Sequence, residues 1–232
     1  MATGVFLIFR IGSLGEEDNW FNRNFREKLI SYPLFRQIFE LHNDGDGRFD
    51  YLSPQRGKLV VEVDSIDGLS LAAEEKDSIR KKLSQITGKT VEIVESSRIP
   101  SSGGLYSDEE LLKLASTYQI YHPSREQAVF YLLLAERSRE DETLVGETIG
   151  ENGAVLYLQA IKDIRPRHRR QAIISTVLHE FGHQLGLPHN DQQDCIMNPV
   201  FEVGGWFEEI TTEFCDLELR QIENIRNSKS IL

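Results

Sequence analysis

Sulfur and positive charge are both scarce in this chain. Its 232 residues include two cysteines, Cys195 and Cys215, and two methionines, Met1 and Met197. Two cysteines are too few for the disulfide framework of a small secreted domain, so a cytoplasmic setting is expected. Lys and Arg number 26 against 37 Asp and Glu, a net charge of −11. That balance argues against nucleic acid as a partner, because its phosphates would be repelled. Long apolar runs are missing as well, and none approaches a membrane span, so no membrane partner is expected. The opening "MATGVFLIFRIGSLGEEDNW" has a short apolar run with no basic stretch before it and Arg10 inside it. It reads as part of the folded chain rather than as a signal peptide. With 40% hydrophobic residues and no low-complexity tract, the chain can bury a core and is not mainly disordered.

Residues 16–42 show helix-like spacing through Trp20, Phe21, Phe25, Leu29, Phe35, Ile38 and Phe39, interrupted near Pro33. The turn-rich "HNDGDGRFDYLSPQRG" at 42–57 marks a boundary. Asp44, Asp46, Gly47 and Asp50 give it a partial calcium-loop look, but His42 takes the first ligand position and Ser53 replaces the bidentate Glu. It reads as a solvated turn. Beyond it, strands are expected at 58–65, 90–95, 127–136 and 153–161, and helices at 73–88 and 107–119. Gly88 ends the first helix, and Ser107 with Glu110 forms a capping box on the second. Strands alternating with helices imply a largely parallel or mixed sheet covered by helices.

The next helix is expected over about 170–186. With His179 at 0° and an advance of about 100° per residue, His183 falls near 40° and Glu180 near 100°. Ile174, Leu178, Phe181 and Leu185 cluster at about 200–260°, so the apolar stripe turns away from the histidines. Core histidines would sit with the stripe. Instead the i, i+4 pair is arranged for two imidazole nitrogens to meet one metal ion. Gly186 can take positive φ and end the helix, Pro188 stiffens the exit, and His189 returns as a third ligand. The pattern His179-Glu180-x-x-His183-x-x-Gly186-x-x-His189 is a highly specific zinc signature.

This pattern, followed eight residues later by Met197 in "CIMNP", resembles the metzincin metallopeptidases. Within them the chain is most similar to the archaemetzincins, whose third histidine is followed by Cys, then Cys-x-Met, then a distant Cys-x-x-Cys. The four thiolates of that family hold a second, structural zinc. Cys195 and Met197 match, and Cys215 follows Met197 after seventeen intervening residues. Asn190 and Glu218 stand where the other two cysteines belong. Without those thiolates a second zinc is not expected. Cys195 and Cys215 then stand as neighbouring thiols, as a disulfide, or as ordinary buried cysteines.

The resemblance implies an α+β zincin-like fold: a twisted mixed sheet with covering helices, an active-site helix, and a small C-terminal subdomain after the third ligand. The division expected is an N-terminal, mainly helical extension at 1–57 and a catalytic domain at 58–232, split into 58–186 and 187–232. It also implies one catalytic Zn²⁺ on His179, His183 and His189, Glu180 as general base, Met197 in the turn beneath the metal, and a peptide or protein substrate. The strand 153–161 resembles the family's substrate-holding edge strand, and on sequence alone it is equally an ordinary member of the sheet. Two other readings stay open: a zinc hydrolase of a non-peptide amide, and a metal-binding interaction protein. Upstream of the helix, Arg165, Arg167, Arg169 and Arg170 read as a solvated or salt-bridged loop. His42, His122 and His168 are isolated and carry no role.

Overall fold

The computed structural model describes residues 47–150, 152–199 and 210–227. The helical pattern at 16–42, and His42, lie outside them. The order is α1 (Arg48–Tyr51), β1 (Lys58–Ile66), α2 (Ala73–Thr87), β2 (Thr90–Ile99), β3 (Leu105–Tyr106), α3 (Asp108–Tyr118), β4 (Gln127–Ala135) and β5 (Arg137–Ser138). Then follow β6 (Gly146–Ile149), β7 (Gly153–Tyr157), α4 (Leu158–Asp163), a short 3₁₀ turn (Pro166–His168), α5 (Arg169–Gln184) and α6 (Asp216–Arg226).

Five strands form the main sheet in the order β2-β1-β4-β7-β6. β1 pairs in parallel with β2 and β4, β4 in parallel with β7, and β6 alone runs antiparallel, against β7. This is the mixed sheet with covering helices expected from the alternating pattern. β4, QAVFYLLLA, is buried from Ala128 to Ala135, as a central strand covered on both faces must be. On β1 the pleat sends Leu59, Val61 and Val63 to one face and Val60, Glu62 and Asp64 to the other. Glu62 accepts the backbone N–H groups of Ile120 and Tyr121 at 2.8 Å each. Asp64 accepts Ser97 N–H at 2.7 Å and the Tyr131 hydroxyl at 2.9 Å, while burial raises its pKa. Glu62 is thus a hydrogen-bonded loop anchor, and Asp64 ties β1 to its neighbours β2 and β4.

The helix caps follow the sequence. Gly88 closes α2 in the left-handed region at φ 71°. On α3, Glu110 N–H donates to Ser107 Oγ at 3.4 Å and Ser107 N–H to Glu110 Oε2 at 2.9 Å.

Two expectations change. The strand expected over 153–161 stops at Tyr157, and Leu158–Asp163 is helical. Its apolar residues Leu158 and Ile161 are spaced by three, so the short run served a helical turn as well as a strand. The stretch 42–57, read as a solvated turn, is buried over Phe49–Ser53, while Pro54, Gln55 and Gly57 are exposed. Phe49, Tyr51 and Leu52 belong to the core, and the Tyr51 ring lies 4.8 Å from Phe181 and 6.2 Å from Phe130. Its hydroxyl donates to the carbonyls of Val129 and Asn152, each at 3.2 Å. Asp50 is buried against Arg56. Lys89, its pKa lowered to about 8 chiefly by burial, donates to the carbonyls of Ser53 and Arg56. The carboxylate proposed for a calcium loop is therefore committed to an internal ion pair.

Candidate metal centre

Helix α5 carries the site. It packs against α2, α4, β6 and β7. Phe181, on its apolar stripe, meets Phe130 on the sheet at 5.2 Å and Tyr51 at 4.8 Å. The expected opposition of stripe and histidines is present, but the histidine side of the helix is largely covered, His183 being half-buried. Every residue from Ala172 to Gly182 is buried, His179 and Glu180 included. The cover comes from the segment Cys195–Met197 over His179 and Gly182, and from β6 over Thr176 and Glu180. Met197 lies against Gly182, where a Cβ would collide with its sulfur. A wheel drawn for one helix could not show that a later segment closes its second face.

Gly186 turns the chain as expected, at φ 85°. Leu187 N–H donates to Gly182 O at 3.0 Å and Gly186 N–H to His183 O at 2.9 Å, the pair of bonds that defines a Schellman stop. The turn swings His189 back over α5. His179, His183 and His189 then bring their Nε2 atoms to 3.1, 3.0 and 3.2 Å of one another. A triangle of that size lets one ion touch all three nitrogens at about 2.0–2.1 Å.

The other ring nitrogens decide what occupies the triangle. His179 Nδ1 lies 2.8 Å from Ile196 O, and His183 Nδ1 lies 3.2 Å from Leu187 O. A carbonyl only accepts, so each Nδ1 carries the proton and each Nε2 of a neutral ring presents a lone pair. Burial lowers the pKa of His179 to about 4 and also lowers that of His183, with the neighbouring rings adding to both shifts. Converging lone pairs on rings that resist protonation form a donor set that could hold a cation. Carbonyl partners on Nδ1 are the usual outer support of metal-binding histidines.

Glu180 is buried beside this triangle. β6 runs close to it, and Gly146 permits the approach, since a Cβ there would strike Thr176 and lie 3.4 Å from Glu180 Oε1. A cleft of ≈ 440 Å³ joins the three histidines, Glu180 and Thr176 to the Leu144–Thr148 segment and Pro199. A second concavity, of ≈ 690 Å³, lies along α2 near Arg80, Gln85 and Lys89, and brings no histidine or convergent ligand set together. The strand beside the centre is β6. β7, named in the sequence reading, lies inside the sheet between β4 and β6.

Peptidase family M54 matches the sequence over residues 144–224, which span β6, the helix with its histidines, and most of α6. The chain is archaemetzincin-like. The fold of the archaemetzincin from Methanopyrus kandleri superimposes with a TM-score of 0.53 at 15% identity, covering 75% of this chain and 99% of that one. The fold of metalloproteinase-II from Bacteroides fragilis gives 0.51 at 16% identity, covering 75% of this chain and 54% of that one. No curated protein matches. The family match supports a zinc metallopeptidase for this archaemetzincin-like chain. No helix among the described residues is long and apolar enough to cross a membrane.

The second ligand-like cluster of the archaemetzincin-like chain differs from the first. Cys195 and Cys215 form a disulfide, one of the arrangements left open by the sequence. Glu218, fully buried, stands within 4.8 Å of the two sulfurs, and Asn190 Nδ2 donates to it at 3.0 Å. All four positions that the resemblance assigns to thiolates therefore meet in space. The donor set no longer fits a structural zinc: the sulfurs are bonded to each other, and the carboxylate is occupied by N–H donors. Sequence reasoning missed the part Glu218 plays here; the one signal was its place in the pattern.

Arg169 and Arg170 open α5, the first bonding to the segment just before it and the second to α2. Arg169 donates to Ile164 O at 3.0 Å and Lys162 O at 2.5 Å, and Arg170 to Glu74 O and Ser78 Oγ at 3.4 Å each.

Proposed function

We propose that this chain is a zinc-dependent metallopeptidase of one catalytic ion, held by His179, His183 and His189. The observation that carries the reading is the triangle of Nε2 lone pairs beside a buried glutamate and an open sheet edge. These nitrogens would hold a zinc ion, which when bound would polarise a carbonyl and activate water near neutral pH. The protein supplies the rest. Ile196 O and Leu187 O hold two rings in the tautomer that leaves Nε2 free. Glu180, on the same face of α5, accepts the proton of the attacking water and delivers it to the leaving amine. Met197, seated on Gly182, supports the floor of the site.

Substrate selection follows from β6. Among the described residues β6 ends the main sheet, the place where an extended chain could add as a further strand. This favours a peptide over a small acylated molecule, and β6 rather than β7 as the holding strand. The catalytic unit runs over 58–232, with Phe49–Leu52 from the N-terminal extension at 1–57 packed into its core.

The test is zinc analysis joined to peptide-library cleavage on the native chain and Glu180→Gln. Zinc in both proteins with cleavage only by the native chain supports the reading. Full cleavage by Glu180→Gln removes the base assignment, and cleavage confined to acylated small molecules favours the non-peptide amidase.

A further inference from the structure

The buried Glu218 is the least expected acid in the molecule, and its bonds lead to the metal centre. It lies in the first turn of α6, where a negative charge suits the helix dipole. Four N–H groups converge on it. Oε1 accepts Met197 N–H at 2.7 Å and Asn190 Nδ2 at 3.0 Å; Oε2 accepts Cys215 N–H at 2.9 Å and Ile196 N–H at 3.2 Å. Its acceptor sites are fully engaged.

One of these bonds has a partner on its far side. The peptide unit between Ile196 and Met197 donates its N–H to Glu218 Oε1, and its C=O faces His179 Nδ1 at 2.8 Å. A single planar peptide thus links a buried carboxylate to a metal-ligand ring. Negative charge on the N–H side strengthens the carbonyl as an acceptor, because hydrogen bonds in a chain polarise one another. A stronger acceptor at Nδ1 fixes the ring and makes Nε2 a better donor to a cation.

We propose that Glu218 is a positioning residue of the catalytic metal centre, acting on His179 through the Ile196–Met197 peptide, and that with the Cys195–Cys215 disulfide it forms a metal-free clamp of that turn. The disulfide fixes where the C-terminal helix meets the turn, whereas the carboxylate makes the bonds that orient the carbonyl. The inference rests on the three-histidine zinc site of the proposed function, but its test does not require hydrolysis.

The experiment measures Zn²⁺ affinity of the full chain by competition with a chromophoric chelator, and the visible spectrum of the Co²⁺-loaded protein. Native chain, Glu218→Gln and Asn190→Asp are compared, with folding checked by circular dichroism. Glu218→Gln sets an amide NH₂ among N–H donors and is expected to lose roughly 10–100-fold in affinity, with a changed Co²⁺ spectrum. Should that variant not fold, Asn190→Asp carries the test. It sets a second carboxylate against Oε1 at a half-exposed position, and a loss of about threefold or more is expected. A merely structural role would lower the unfolding midpoint of the metal-free protein and leave affinity and spectrum unchanged; that result in the folded variants overturns the inference alone. A native chain that binds no zinc overturns the inference together with the proposed function.

Discussion

Two clusters of ligand-type side chains lie on either side of Ile196, and they have opposite characters. His179, His183 and His189 aim unshared lone pairs at one point and have nothing else to bond there. Cys195, Cys215 and Glu218 stand equally close but are satisfied by each other and by backbone N–H groups. Proximity of metal-binding residue types is thus no guide to metal binding. What separates the clusters is whether lone pairs remain unspent. The first leaves three ring nitrogens that could hold a cation, whereas the second is closed by a covalent bond and a hydrogen-bonded carboxylate.

The largest effect that sharpens this contrast lies in the first cluster. Glu180→Gln should lower kcat/KM on a cleaved peptide by about 10²–10⁴-fold while zinc content stays at the native level, measured by initial rates and metal analysis. Loss of zinc in that variant would make Glu180 part of the binding set and blur the boundary between ligand and base.

Reduction addresses the second cluster. Opening the Cys195–Cys215 bond, which closes a loop with a sequence separation of 20, should cost about 3 kcal/mol of stability, read by denaturant unfolding with and without a dithiol. Zinc affinity of the folded protein should change little, since Glu218 and not the sulfurs bonds the Ile196–Met197 peptide. A large fall in affinity on reduction would shift the positioning role to the disulfide.

Acid distinguishes the clusters more gently. The folded pKa of His179, about 4, lies below its ordinary value of 6.5, so the unfolded chain takes up a proton first. Metal-free protein should therefore keep this contribution above about pH 6.5 and lose it progressively as pH falls toward 4, up to about 3 kcal/mol in all. Urea midpoints of chelator-treated protein across that range provide the check. A midpoint that rises on acidification would mean that the rings are protonated in the folded state.

The fold and the first cluster were legible because each rested on a local pattern. Strand alternation, the cap at Ser107, the stop at Gly186 and the i, i+4 histidines all act within a few residues. The second cluster was legible only in part. The resemblance located Asn190 and Glu218 as departures, but the bonds to Glu218 span up to 28 residues of sequence and involve backbone groups, which leave no trace in residue type. Tyr51 was missed for a similar reason: it sits in a turn-rich stretch and is buried by aromatic rings more than 75 residues away. The edge strand was misplaced because β6 is short and mixed, GETI, while β7 beside it is uniformly apolar and drew the assignment.

The contrast between the clusters is tested most directly by counting zinc in the native, oxidised chain and reading the ion's first shell by X-ray absorption. One zinc per chain is expected, with nitrogen and oxygen neighbours only, at about 2.0–2.1 Å. Two tightly bound zinc ions, or a sulfur shell at about 2.3 Å, would contradict it.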